Sequence, residues 1–163
     1  MTYCVGLLLN EGMVLLSDTR TNAGLDNIST YRKMFTFEDP GERVIVIMTA
    51  GSLSVTQTAI AQLREAIEDP EASPETSIML APTLLKVAEI VGASLAKVRA
   101  EVDEKLSAMQ GASASMIVAG QRKGGGCNVA RSMSSGSGSS HGCGWTGIAS
   151  ARSASTMAST RRC

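Results

Sequence analysis

The chain has 163 residues, enough for one core-bearing domain and too few for two comfortable ones. Fifteen basic residues balance fifteen acidic ones, so no overall field points to nucleic acid or an anionic membrane, and aromatics at 3% supply no base-stacking platform. No stretch approaches ~18 consecutive apolar residues, so a membrane span is not expected. The N-terminus lacks the basic region of a leader, and the cytoplasm is the expected location. The four cysteines, Cys4, Cys127, Cys143 and Cys163, show no regular spacing and suggest no disulfide framework.

The first two dozen residues carry the chemistry. Thr2 stands directly behind the initiator Met, and an apolar run follows to the turn residues Asn10-Glu11-Gly12. A second apolar run leads to Ser17-Asp18. Short apolar runs bounded by turn residues read as two paired antiparallel strands, which would return Asp18 to the sheet end where Thr2 begins. Removal of Met1 would leave Thr2 with a free α-amine of pKa about 7.7–8.0, placing a hydroxyl and its own base on one residue. Taken alone, Thr2 is the permissive second residue of many ordinary chains.

A polar connection, Leu25 to Tyr31, leads to a short strand over Arg32–Phe37 containing Lys33. Glu38 to Glu42 is a turn by composition, with Pro40 fixing φ and Gly41 able to take positive φ. Arg43–Thr49 is β-branched and almost wholly apolar, the pattern of a strand covered on both faces, and it ends at Ala50-Gly51-Ser52. Ser52 or Ser54 is placed to cap a helix over Val55–Glu68, with Val55, Ala59, Ile60, Leu63 and Ile67 at helical spacing. Asp69-Pro70 ends it. A longer helix is expected from about Ala81 to Met109, with Pro82 in its first turn and a stripe through Leu84, Val87, Val91, Leu95, Val98, Val102 and Leu106. Met116–Ala119 resumes a strand.

From Gly124 onward the composition turns to Ser, Gly, Ala and Arg without sustained periodicity. The expected organisation is therefore a domain portion over 1–123 and a low-complexity, disordered or frameshifted tail over 124–163. Gly124–Gly126 lacks the Lys-Ser/Thr of a phosphate loop and reads as a flexible linker. His141 and Cys143 fall short of the roughly four ligands of a closed metal site, so no metal is expected.

Thr2, Asp18, Lys33 and Gly51 in this order, with the stretches MTYCVGLLLNEG, SDTRTNAGLDNI, YRKMFTFEDPGERV, TAGSLSVTQ and ASMIVAGQ, resemble the proteasome-type N-terminal nucleophile hydrolases. The match is to the bacterial branch called Anbu, the ancestral β subunit, and runs from about Met1 to Gln121. Each motif is weak alone, and the ordered set is specific.

The resemblance implies an α+β fold, a four-layer αββα sandwich left incomplete at its C-terminus. It implies a threonine-type peptidase without cofactor, acting on peptide or unfolded-protein substrates and self-associating into a ring or helical oligomer. By motif position Thr2 is the nucleophile, with its α-amine as base. Lys33 stands beside it, Asp18 orients Lys33, and the Gly51 N–H is the oxyanion donor. Alternatives are a catalytically dead assembly subunit or unstable product of an altered gene, and a related N-terminal nucleophile amidohydrolase. For the altered gene there is a textual clue: synonymous codons for Ala149–Ser159 can read IGEIRKYDGK in another frame, similar to the family's IGExKYGKP stretch. Outside this pattern, Asp18 would be an ordinary strand-end acid, Lys33 a solvated charge and Gly51 a turn residue.

Overall fold

Apolar residues either side of the first turn form β1 (Cys4–Leu9) and β2 (Gly12–Ser17), paired antiparallel with Cys4 opposite Ser17 and Leu9 opposite Gly12. These belong to a computed structural model that describes residues 2–9, 12–22, 28–105, 113–134 and 144–150. β3 (Arg20–Asn22) and β4 (Ile28–Thr30) make a second short ribbon where a plain polar connection is expected. Three-residue strands are too short for periodicity to announce.

The main sheet is antiparallel throughout, in the order β5 (Met34–Asp39), β6 (Arg43–Gly51), β7 (Ala114–Arg122), β8 (Asn128–Ser134) and β9 (Gly144–Ser150). β5 begins two residues later than expected, and its hairpin to β6 closes through the Glu42 N–H donating to the Asp39 carbonyl at 3.0 Å. Gly41 there sits at φ 86°, a conformation that favours glycine.

α1 (Leu53–Glu68) and α2 (Leu84–Lys105) cover one face of this sheet. Register puts Phe35, Ile47 and Val118 in one row across β5, β6 and β7, and these meet Val55, Ala59, Ile60 and Leu63 of α1 and Val87, Val91, Leu95 and Val98 of α2. The helical stripes are thus core. Asp69 caps α1, its N–H bonded to Glu65 O at 3.0 Å. Ser52 occupies the N-cap position, but its hydroxyl pairs with Ser54 Oγ at 3.1 Å instead of capping. α2 starts later than expected because Thr83, whose Oγ1 accepts the Lys86 N–H at 3.2 Å, serves as its cap; Pro82 precedes the helix. Leu106 to Met109 lie outside the described residues. The loop between the helices is tied to the sheet by Arg43, whose guanidinium donates to the carbonyls of Ile78 (3.3 Å) and Ala81 (2.9 Å).

The expectation of a structureless tail from Gly124 is corrected over two segments. Residues 123–126 form a tight turn, with Gly124 at φ 71° and the Gly125 N–H on Arg122 O at 2.9 Å, and β8 and β9 extend the sheet. Cys127 and Ala130 are buried. The reason is that a ladder is made of backbone groups: the free edge of β7 satisfies a neighbouring strand whatever its side chains, and composition reports only side chains. Residues 135–143 and 151–163 lie outside the described residues, as do Cys143 and Cys163.

The β1–β2 hairpin lies across the opposite face, with Cys4 Sγ 3.8 Å from the Thr49 carbonyl and Gly6 close to Val129. Its outer face stays bare: Leu7, Val14 and Leu16 are 52%, 50% and 60% exposed. No helix among the described residues is long and apolar enough to cross a membrane.

These two environments respond differently to substitution. Leu95→Ala, at a fully buried position, is expected to lower unfolding free energy by about 2–5 kcal/mol in urea titrations. Leu16→Lys on the bare face should stay within about 0.5 kcal/mol of the parent while raising the concentration at which the protein remains monodisperse.

Candidate active site

The hairpin register delivers Asp18 to the start of β1. Its N–H donates to Tyr3 O at 3.0 Å, and its Oδ1 accepts the Tyr3 N–H at 2.9 Å, so the carboxylate is locked to the residue next to Thr2. Lys33 comes from the residue before β5. Its carbonyl accepts the Thr49 N–H at 2.8 Å, which fixes its backbone to β6.

Lys33 is 6% exposed, and its ammonium has three hydrogens to place. Nζ donates to Thr2 Oγ1 at 3.0 Å, to the Asp18 carboxylate at 2.9 Å and 3.1 Å, and to the Arg20 carbonyl at 2.6 Å. Three partner groups match three hydrogens, and the buried charge is neutralised by an adjacent carboxylate. Thr2, Asp18 and Lys33, singled out from sequence, therefore meet at one nitrogen. The Arg20 carbonyl was not foreseeable, since a backbone oxygen carries no residue-type signal.

Asp18 titrates below the ordinary aspartate range, chiefly because Lys33 donates to its carboxylate and secondly because the Tyr3 N–H does. Cys4, close by, is pushed the other way: partial burial raises its thiol pKa, the Asp18 charge adds to this, and Lys33 opposes it.

Gly51 ends β6 at φ 100°, and a Cβ built there would lie 2.3 Å from the Ser113 carbonyl oxygen. Both conformation and space demand glycine. It lines the cleft of about 390 Å³ that opens onto Thr2 and Lys33, with Tyr31, Thr49, Leu53 and Thr56 also in the walls. Thr21 lines it too, and its buried hydroxyl has no hydrogen-bond partner among the described residues. A separate hollow at the far end of β6, beside Arg43, Leu84 and Gly120, contains none of these groups; there Arg43 and Arg122 donate to main-chain carbonyls. Among the described residues, no group of three His, Cys, Asp or Glu gathers in metal-binding geometry.

Solved structures share much of this fold. The helical assembly of the Anbu complex from Pseudomonas aeruginosa aligns at 37% identity and a TM-score of 0.70, over 78% of this chain and 52% of that one. Anbu from Yersinia bercovieri aligns at 33% identity and TM-score 0.69, over 78% and 51%. Over most of its length the chain is similar to Anbu, the ancestral β-subunit. A Gly-1 mutant of Anbu from Hyphomicrobium sp. strain MC1 aligns over more of the chain, 92% of it and 60% of the mutant, at 28% identity and TM-score 0.75. The chain thus spans about half the length of the first two Anbu structures. No protein-family model and no curated protein matches it.

Two substitutions probe this site through stability alone. Because the folded Asp18 pKa lies below the unfolded one, the stability it contributes is complete above the unfolded value and is lost as pH falls through the folded value. Urea midpoints followed from about pH 6 to about pH 2.5 should show Asp18→Asn less stable than the parent, with the gap narrowing below about pH 3.9. Gly51→Ala should cost at least ~2 kcal/mol by the same measurement, since it adds backbone strain to a main-chain clash.

Proposed function

We propose that the chain is a proteasome-like threonine peptidase subunit of the Anbu type, hydrolysing peptide bonds through Thr2. The observation that carries this reading is the 3.0 Å contact between Lys33 Nζ and Thr2 Oγ1, with Asp18 in a 2.9 Å ion pair behind it. Once Met1 is removed, the Thr2 α-amine takes the hydroxyl proton as Oγ1 attacks the substrate carbonyl carbon. A C–O bond forms, the C–N bond breaks, and the leaving amine departs with the proton held by the α-amine. Water, deprotonated by the same amine, then hydrolyses the ester and regenerates Thr2. Lys33 disfavours protonation of the amine and steadies negative charge near Oγ1. The Gly51 N–H, in the cleft wall, serves as oxyanion donor, a role worth about 3–4 kcal/mol of transition-state stabilisation.

The αββα sandwich is the architecture that accompanies this function. The helical layer, the five-stranded sheet and the β1–β2 hairpin supply three of its layers, and the bare Leu7, Val14 and Leu16 face is where a second helical layer would sit. Self-association is proposed on the family relation, the Pseudomonas aeruginosa relative being described as a helical assembly. That same bare face favours a second reading, in which this chain occupies an assembly without turning substrate over. A related amidohydrolase acting on small amides would use the same Thr2 chemistry.

Turnover of a fluorogenic peptide panel tests these readings. Thr2→Ala should abolish cleavage while leaving the protein folded, though without the acceptor that Oγ1 gives Lys33, and Thr2→Ser should keep part of the activity. Lys33→Ala should reduce kcat by about 100-fold or more, and Lys33→Arg should not rescue, because a planar guanidinium cannot reproduce the three-way ammonium contact. Active protein with Met1 retained by intact mass would defeat the mechanism. Absence of any cleavage by correctly processed protein would favour the inactive subunit, and cleavage of simple amides only would favour the amidohydrolase.

A further inference from the structure

The hollow at the far end of β6 is walled by the start of α2 on one side and by the turn between β7 and β8 on the other. Its volume is about 210 Å³, below the ~300–1,000 Å³ of pockets that take drug-sized ligands. The floor is apolar. Ile45 and Val87 are almost wholly buried, and Leu84 comes down onto the sheet at Gly120, where a Cβ would lie 3.1 Å from its Cδ1.

The rim is cationic. Arg43 and Arg122 are register partners across β6 and β7, so two guanidiniums start side by side on the same face. Like charges directly opposite each other in a ladder destabilise it unless an anion offsets them. Among the described residues, no carboxylate pairs with either arginine. Glu42, the neighbour of Arg43, is held by Lys123 at 2.6 Å. Asp39, opposite Arg43 on β5, is exposed and does not line the hollow. Arg43 donates to the Ile78 and Ala81 carbonyls and Arg122 to the Pro82 carbonyl, in each case through Nη1 alone. A guanidinium has five N–H donors, so Nε and Nη2 of both arginines are left to offer.

We propose that this hollow is a second ligand site, separate from the cleft at Thr2, that takes a small aliphatic carboxylate. The carboxylate lies between Arg43 and Arg122, and its alkyl chain runs over Ile45, Leu84 and Val87. Guanidinium forks match the two oxygens of a carboxylate, and the chain gains by covering apolar surface. An inorganic anion would satisfy the rim and leave the floor uncovered, whereas a neutral amide would do the reverse. Nothing in this assignment depends on Thr2 or on peptide cleavage.

Isothermal titration of the full chain with hexanoate, hexanamide, acetate and inorganic phosphate tests it. Hexanoate should bind one to one, at least about tenfold more tightly than hexanamide, which lacks the charge. It should exceed acetate and phosphate by about tenfold or more as well, since neither covers the floor. Arg122→Gln, at an exposed position, should weaken hexanoate by about tenfold or more, and Arg122→Lys, which keeps the charge without the fork, should fall between. Arg43→Gln should act like Arg122→Gln; because Arg43 also tethers the loop between the helices, Arg122→Gln carries the comparison if Arg43→Gln does not fold. Arg20→Gln, in the cleft at Thr2, should leave hexanoate affinity within about twofold, the site being remote from it.

No binding of hexanoate, or equal binding of hexanamide or phosphate, overturns the proposal. So does a hexanoate affinity that falls in Arg20→Gln and not in Arg122→Gln, which would put the carboxylate in the cleft at Thr2.

Discussion

The site depends on one buried ammonium. Lys33 cannot sit at 6% exposure unless its charge is matched and its hydrogens are placed, and the chain meets both needs from three separate segments. Asp18 arrives on the β1–β2 hairpin, the Arg20 carbonyl on the β3 ribbon, and Thr2 at the entrance to β1. The network is therefore the point where otherwise independent ribbons converge on the main sheet. Breaking the Asp18 contact would leave a largely buried charge without its counter-ion, so the polar cluster and the fold around it stand together.

The sheet provides the rigid half of that arrangement. β6 is an interior strand, hydrogen-bonded to β5 and β7, and it holds both the Thr49 N–H that anchors Lys33 and the Gly51 turn that forms the cleft wall. Helices α1 and α2 brace it from behind through Ile45, Ile47 and Val118. The opposite side is looser: the hairpin touches β6 and β8 but keeps Leu7, Val14 and Leu16 in solvent. Thr2 thus sits at the border between a well-packed half and a half with an unfinished surface.

Much of this could be read from residues. The hairpin follows from two apolar runs around Asn10-Glu11-Gly12, α1 and α2 from their stripes, β6 from Arg43–Thr49, and the meeting of Thr2, Asp18 and Lys33 from the spacing the family shares. What escaped were features built from main chain. The β3–β4 ribbon is too short for a pattern, the Arg20 carbonyl belongs to no residue type, and β8 and β9 pair through N–H and C=O groups under a Ser/Gly/Ala-rich sequence. The start of α2 was misplaced by reading Pro82 as a first-turn residue, when the Thr83 hydroxyl makes the cap. Tyr31 looked like the end of a polar linker and proved to stand between two hollows.

The Lys33–Asp18 pair has an electrical consequence. Its two charges lie 2.9 Å apart and cancel at any distance from which a substrate approaches, leaving Arg20 as the other charged residue in the cleft wall. The chain as a whole is also balanced, fifteen charges of each sign. Such a cleft exerts little long-range pull, and mobile ions, which screen over about 8 Å at physiological strength, have little to screen. What field the cleft has is therefore chiefly that of Arg20, short in reach and damped by salt beyond that distance.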